Sequence, residues 1–403
     1  MILAPVLGIA LAAAPLEGTS ARVRVGLETL ETQGGGILRC RRVGLVCHAA
    51  SVTADGRHVI DVLRAQDVEL VRLFAPEHGL RTDGAPGAAV TDAADPATGL
   101  HSVSLCGSRT RPRAEDLAGL DVLVVDLQDA GVRFYTYVST LIECLEASAE
   151  AGIELVVLDR PNPLGGERIE GPEAGADAPP SLLNRAPGPL IHGLTLGEMA
   201  RLVNARLPRP GRVAVVPMAG WARAMTWADT RRPWVAPSPN LRSSGAALAY
   251  PGVCLLEATN VWEGRGTAAP FLLLGAPWIV PERLAPAVVA SGYTLDSARF
   301  RPRASAAAPR PKYEGEACGG LRVRVADPAA AEPYRLGLGL LVALKRLYPD
   351  FAWREGGAAI DGLLGTRRLR QAIERGAGVE AILAQDAAGI ARFRRERAGS
   401  LLY

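Results

Sequence analysis

Residues 121–137, DVLVVDLQDAGVRFYTY, decide how this chain reads. The first seven form a short β-branched apolar run of the kind found in strands buried on both faces. The run breaks into a polar, glycine-flexed stretch from Gln128 to Tyr137. Residues 138–151 then place Leu141, Ile142, Leu145 and Ala149 at helical spacing, completing a strand, a loop and a helix. The same apolar signature recurs at 43–47, 68–75, 153–159 and 213–218, with amphipathic sequence between. Residues 194–207 read as a further helix, started by Thr195 with Glu198 three residues on, a capping box. The expected fold class is α/β, with a Rossmann-like parallel-sheet amino-terminal domain. No G-x-G-x-x-G follows the first strand and the Gly165-Gly166 pair does not supply one, so no dinucleotide is expected.

Beyond Pro237-Ser238-Pro239-Asn240 the rhythm changes to Gly-, Ala- and Pro-rich sequence, including a loop-like tract at 301–311. Helical patterning returns from Tyr334, where Leu336, Leu338, Leu340, Leu341, Leu344 and Leu347 make an apolar stripe. These shifts predict a catalytic domain over 21–250 and a smaller α+β auxiliary domain over 251–403. Residues 1–20 are set apart as a signal segment. Met1 to Ala14 carry no charge, are too short to span a bilayer, and offer Ala12-Ala13-Ala14 for cleavage, although the usual basic lead is missing. A periplasmic or secreted location is expected, with a cytoplasmic one as the alternative.

The 403 residues carry a net charge of +3 among 22% charged side chains, and no basic stripe interleaves with aromatics, so nucleic acid is not an expected partner. No membrane span is expected either. The six cysteines, Cys40, Cys47, Cys106, Cys144, Cys254 and Cys318, form no C-x-x-C pair, which argues against a zinc ribbon or a dense disulfide framework.

Ligands of open α/β sheets sit beyond the carboxyl ends of the strands, so the residues after each strand matter most. Here they are Pro76-Glu77-His78-Gly79, then Gln128 and Asp129 with Arg133, Tyr135 and Tyr137, then Arg160, Pro161 and Asn162, followed by Glu170-Gly171-Pro172. Cleaving a glycosidic bond needs a carboxylic acid for the leaving oxygen and often a second carboxylate. Glu77 and Glu170 fit those roles, with Glu77 as the acid. His78 is placed to steady Glu77 or touch a sugar, and His192 lies in another loop. Tyr135 and Tyr137 read equally as core or as sugar-stacking rings. Arg133 and Arg160 suit a substrate carboxylate, to which a guanidinium binds through two parallel hydrogen bonds, or an ordinary ion pair. The polar loop Thr259 to Thr267, with Glu263 and Arg265, either closes over the site or is an interdomain turn with those two paired. A metal would recruit His78, His192, Asp129 and Asp159, but no H-x-x-x-H or H-E-x-x-H spacing anchors it, so none is expected. Serine chemistry lacks its G-x-S-x-G.

Taken in order, these segments resemble the exo-β-N-acetylmuramidases, bacterial glycoside hydrolases formerly grouped as a domain of unknown function. The resemblance runs nearly end to end. It rests on Phe74-Ala75-Pro76-Glu77-His78-Gly79, Asp126-Leu127-Gln128-Asp129, Arg133-Phe134-Tyr135-Thr136-Tyr137, Leu158-Asp159-Arg160-Pro161-Asn162-Pro163, Glu170-Gly171-Pro172, His192-Gly193, Pro237-Ser238-Pro239-Asn240 and Glu263-Gly264-Arg265-Gly266-Thr267. It implies a cleft between the two domains that takes a terminal β-1,4-linked N-acetylmuramic acid (MurNAc) from peptidoglycan fragments such as MurNAc-GlcNAc, in cell-wall turnover or recycling. It also implies Glu77 and Glu170 as the catalytic pair, no cofactor, and substrate contacts from His78, Gln128, Asp129, Arg133, Tyr135, Arg160, Asn162, His192, Asn240, Glu263 and Arg265. The chain departs from the family pattern in Cys47-His48-Ala49-Ala50-Ser51 after the first strand, in Ala75 where glycine is common, and in Trp262 where serine is usual. Trp262 is expected to reshape the cleft wall. A non-catalytic muropeptide-binding protein and a metal-dependent hydrolase are the alternatives on the same fold.

Overall fold

The computed structural model describes residues 22–403 apart from 86, 88–90 and 180; the expected signal segment lies outside the described residues. Twelve strands are described: β1 (Arg42–Cys47), β2 (Glu69–Ala75), β3 (Ala93–Ala94), β4 (His101–Ser104), β5 (Val122–Asp126), β6 (Glu154–Leu158), β7 (Glu170–Glu173), β8 (Pro189–Ile191), β9 (Arg212–Val216), β10 (Leu273–Ala276), β11 (Tyr293–Phe300) and β12 (Cys318–Val325). Seven of them form one sheet in the order β3-β4-β2-β1-β5-β6-β9. Every pairing in it is parallel except that of β3 with β4 at the edge.

The apolar runs are strands because both of their faces are covered. Leu123 and Val125 of β5, with Leu155 and Val157 of β6, enter one core, while Val122, Val124, Val156 and Leu158 enter the core on the other side. A period of two in a continuous apolar run therefore feeds two cores at once. The helix after β5 starts at Thr136, two residues before the predicted point, and stops at Gly152, whose φ of 70° caps it in the left-handed region. The predicted capping box also forms: Thr195 Oγ1 accepts from the Glu198 amide at 3.2 Å, and Glu198 Oε2 accepts from the Thr195 amide at 3.1 Å.

The carboxy-terminal part is α+β, with a three-stranded antiparallel sheet, β10-β12-β11, and helices against it. Its apolar stripe lies on the helix Pro333–Leu347, where Leu336, Leu338, Leu340, Leu341 and Leu344 are buried. That helix packs closely on the helix Ser244–Val253. A Cβ at Gly252 would lie 2.0 Å from the Pro333 carbonyl, so only glycine permits the approach. One apolar cluster, holding Leu123, Leu141, Leu255 and Leu340 together, runs through both parts. Among the described residues no helix is long and apolar enough to cross a membrane.

Candidate active site

The order of the main sheet reverses at β1. The chain moves from β1 outward to β2 and β4, then returns to add β5, β6 and β9 on the other flank. The loops leaving β1 and β5 thus diverge and open a crevice at their carboxyl ends. His48 follows β1, Gln128 and Asp129 follow β5, and Glu77 follows the neighbouring β2.

Glu77 is reached through a tight loop in which His78 and Gly79 both have left-handed φ, 71° and 77°. Such a conformation is costly for histidine and persists only where the surroundings hold it. Here the His78 ring Nδ1 bonds the Gly84 carbonyl at 2.7 Å, so His78 folds its own loop. The Glu77 carboxyl is gripped at both oxygens: Oε1 accepts from the Gly87 amide at 2.9 Å and Oε2 from the Thr136 hydroxyl at 2.7 Å. Thr136 opens the helix Thr136–Ala151, so the carboxyl lies at the positive end of a long helix.

Behind Glu77 stands a buried relay. The Tyr137 hydroxyl lies 2.8 Å from the Pro237 carbonyl and 3.2 Å from the Glu77 carbonyl, joining the Glu77 loop to the Pro237-Ser238-Pro239-Asn240 turn. The His48 ring meets the Tyr137 ring edge-on at 4.9 Å, and its Nε2 accepts from the Gln128 amide at 3.0 Å. Burial pushes the His48 pKa well below the usual histidine value, so the ring is neutral and its proton sits on Nδ1, facing Tyr137.

Asp129 is almost fully buried. Its Oδ2 accepts from the Gly131 amide at 2.7 Å, while Oδ1 meets no donor. Burial pushes its pKa up to about 7, against the pull of the Gly131 and Ala130 amides. Tyr135 is equally enclosed, its ring edge-on to Tyr137 at 4.8 Å and to Tyr250 at 6.0 Å. Its hydroxyl, beside Ser238, makes no well-formed hydrogen bond. Gln128 donates through Nε2 to the Asp129 and Pro161 carbonyls, both at 3.0 Å, and so ties the loops after β5 and β6 together.

Several residues expected to contact substrate are engaged by the protein itself. Arg133 is fully buried and donates to the backbone carbonyls of Pro172, Gly188 and Leu364. Arg160 holds Asp126 through two hydrogen bonds, at 2.5 and 2.9 Å, and adds the Val52 carbonyl at 3.0 Å. Both guanidinium groups are occupied by these protein partners. Asn162 clamps its own turn, accepting from the Leu164 amide and donating to the Leu194 carbonyl, both at 2.9 Å. His192 has no exposed surface, and its Nδ1 accepts from the Leu194 amide at 3.1 Å; burial drives its pKa down to about 3. Of the two readings of the later loop, pairing is the observed one: Arg265 bonds Glu263 at 2.7 Å and Glu257 at 2.6 Å, over the face of Phe271. Asn240 links that loop to the proline turn, accepting from the Gly266 amide at 3.1 Å and donating to the Ala307 carbonyl at 2.9 Å. Trp262 forms no part of a cleft wall, because it is buried beside β10 against Phe300.

Glu170 lies in β7, paired with Ile191 of β8. Its Oε2 accepts from the Tyr334 amide at 2.9 Å and its Oε1 faces Arg168 Nε at 3.3 Å. It lines a cavity of about 640 Å³ with Arg168, Arg223 and Trp227, and Glu77 is not in that lining. Burial pushes its pKa up to about 7, more than the Arg168 charge and the Tyr334 amide pull it down. Glu77 and Glu170 share no hydrogen-bonding partner among the described residues. The sequence assigned neither Thr136 nor His48 to the site, and read Tyr137 only as a core or sugar-stacking ring; the signal for Thr136 and Tyr137 was their place in the Arg133–Tyr137 motif. Among the described residues no three His, Cys, Asp or Glu side chains gather as a metal site.

Two family models cover the chain: the N-terminal part of exo-beta-N-acetylmuramidase NamZ over residues 43–245, and its C-terminal part over 248–403. The chain is 37% identical over 387 residues to the peptidoglycan beta-N-acetylmuramidase NamZ of Bacillus subtilis (strain 168), covering 95% of this chain and 92% of that protein. Two crystal structures of DUF1343 family proteins from Bacteroides fragilis NCTC 9343 share the fold. BF0371 superposes with a TM-score of 0.85 at 31% identity, and BF0379 with 0.77 at 30%; each match covers 95% of this chain and 99% of the other.

Proposed function

The chain belongs to the exo-β-N-acetylmuramidase family, and from that premise we propose that it hydrolyses the terminal β-1,4-linked MurNAc from peptidoglycan fragments such as MurNAc-GlcNAc. It is a glycoside hydrolase. The observation that carries the site assignment is Glu77, a carboxyl held at both oxygens beside the crevice where the sheet order reverses. Glu77 protonates the leaving O4 of the GlcNAc residue, and its grip by Thr136 and Gly87 keeps the acid aimed while the bond breaks. The relay through Tyr137 and His48 fixes the backbone of the same loop.

The test is incubation of the protein with MurNAc-GlcNAc, with free MurNAc followed by NMR. Glu77→Gln abolishes release while leaving the circular dichroism and melting profile unchanged. A fully active Gln variant removes Glu77 from the chemistry. A wild-type protein that binds the disaccharide but never turns it over is a binding protein on this fold. Export belongs to the same proposal: the uncharged, apolar residues 1–14, with Ala12-Ala13-Ala14 as small residues for cleavage, support a cleaved leader, and mass spectrometry of the mature amino terminus from the producing bacterium decides it.

A further inference from the structure

We propose that Asp129 and Tyr135 form the pocket for the 2-acetamido group of the muramic sugar, and that this group, rather than a second carboxylate, is the nucleophile. The inference rests on the glycosidase reading and specifies its mechanism. Two buried polar atoms at the β5 loop make no well-formed hydrogen bond, an acceptor at Asp129 Oδ1 and a donor at the Tyr135 hydroxyl, which has Ser238 and Tyr137 as its polar neighbours. A buried polar atom without a partner costs about 1–3 kcal/mol, so two together at the crevice mark a place that a ligand completes. An acetamido group offers one N–H and one carbonyl oxygen, the complement of that pair. Its methyl meets the aromatic rings there, where Tyr135 stands edge-on to Tyr137 and to Tyr250. Asp129 is near enough for its charge to act on both Tyr135 and Tyr137, and the Tyr137 hydroxyl touches the Glu77 backbone. The two groups therefore lie beside the loop that carries the proposed acid. The other expected carboxyl, Glu170, is engaged with Arg168 and the Tyr334 amide instead.

In the first step the acetamido oxygen bonds to C1 as the C1–O4 bond breaks, and Glu77 gives its proton to the departing O4. The resulting oxazolinium ring carries its positive charge towards the N–H, which donates to Asp129. In the second step water bonds to C1 from the face the leaving group vacated and gives its proton to Glu77. The bond from C1 to the acetamido oxygen then breaks, and the ring reopens. One water is consumed, both carboxyl groups return to their starting states, and the β configuration at C1 is retained.

The experiment has two parts. NMR of the first turnovers of the wild-type protein on MurNAc-GlcNAc reads the anomer released: β-MurNAc first is expected, and α-MurNAc first overturns the inference while leaving the glycosidase reading intact. Aryl MurNAc glycosides with zero to three fluorines on the acetyl group then test participation, because fluorine weakens the attacking oxygen. kcat falls with each fluorine if the acetamido group attacks, and a kcat independent of fluorine overturns the proposal. Asp129→Asn is expected to lower kcat by about 10²-fold with KM little changed, the scale of one lost electrostatic partner of a developing charge. No MurNAc release from any substrate by the wild-type protein refutes the glycosidase reading itself, and this inference with it.

Discussion

Replacing Thr136 with valine isolates one hydrogen bond to the proposed acid. The Thr136 hydroxyl lies 2.7 Å from Glu77 Oε2, and the Gly87 amide holds the other oxygen at 2.9 Å. Valine keeps the β-branched shape and the first helical position, so the change deletes a donor with little loss of packing. A hydrogen bond to a charged group contributes about 1.5–3 kcal/mol, and because Gly87 still restrains the carboxyl the lower end applies. About 1.5 kcal/mol in the barrier is roughly a tenfold fall in kcat. KM stays near its wild-type value, since the bond orients the acid and does not touch the sugar. Thr136→Ser restores the hydroxyl and most of the rate. The assay is steady-state release of nitrophenol from a chromogenic MurNAc glycoside, beside melting curves of all three proteins. A Val variant within twofold of wild type, or a Ser variant as slow as Val, refutes the positioning role.

Three further outcomes follow from the buried charges. Arg160→Met leaves Asp126 without its ion-pair partner in the core and is expected to cost about 3–5 kcal/mol in urea unfolding, with the double variant Asp126→Leu/Arg160→Met recovering part of the loss; unchanged stability with a raised KM would instead return Arg160 to substrate binding. Glu170→Gln is expected to keep turnover within about threefold, as it lies outside the proposed proton transfers, whereas complete loss of turnover restores Glu170 to the catalytic pair. The same variant carries a pH signature. The Glu170 pKa is raised from 4.5 to about 7 in the folded protein, so between those values the folded state binds more protons than the unfolded one. Wild-type stability therefore falls as pH rises through that window and levels off above it. Glutamine has no such loss, so its advantage over wild type grows from pH 4.5 to 7, up to about 3 kcal/mol, and equal pH slopes for the two proteins exclude the linkage.

How much of this was legible in the sequence follows from which interactions are local. β5 and β6 could be read because an unbroken apolar run is the local mark of a strand covered on both faces. The Thr195 capping box spans three residues and could be read for the same reason. β7 could not. Glu170-Gly171-Pro172 has turn chemistry, and it becomes a strand only because β8, many residues later, pairs with it and Gly171 adopts a φ of 82°. The arginines show the same limit more sharply. A guanidinium after a strand looks the same whether it faces a sugar or a carbonyl, and the carbonyls that Arg133 binds belong to Pro172, Gly188 and Leu364, the last 231 residues away. Glu77 was legible by its place at a strand end; Thr136, which aims it, was not, because a threonine opening a helix is ordinary.

These long-range bonds also explain why the unpartnered atoms stand out. Arg133, Arg160, Gln128 and Asn162 tie the loops after β5 and β6 to distant backbone and to each other. A crevice built this way is stiff, and a stiff crevice holds its reactive groups in one geometry before the substrate arrives. Asp129 Oδ1, the Tyr135 hydroxyl and Arg133 Nε are the buried atoms of the β5 loop without a well-formed hydrogen bond, and of these it is Asp129 and Tyr135 that act on Tyr137 beside Glu77. Their partner is best sought in the substrate. The acetamido group supplies both missing halves, so the motif Gln128-Asp129 and the motif Tyr135-Thr136-Tyr137 divide the work: Thr136 serves the acid, and Asp129 with Tyr135 serves the nucleophile.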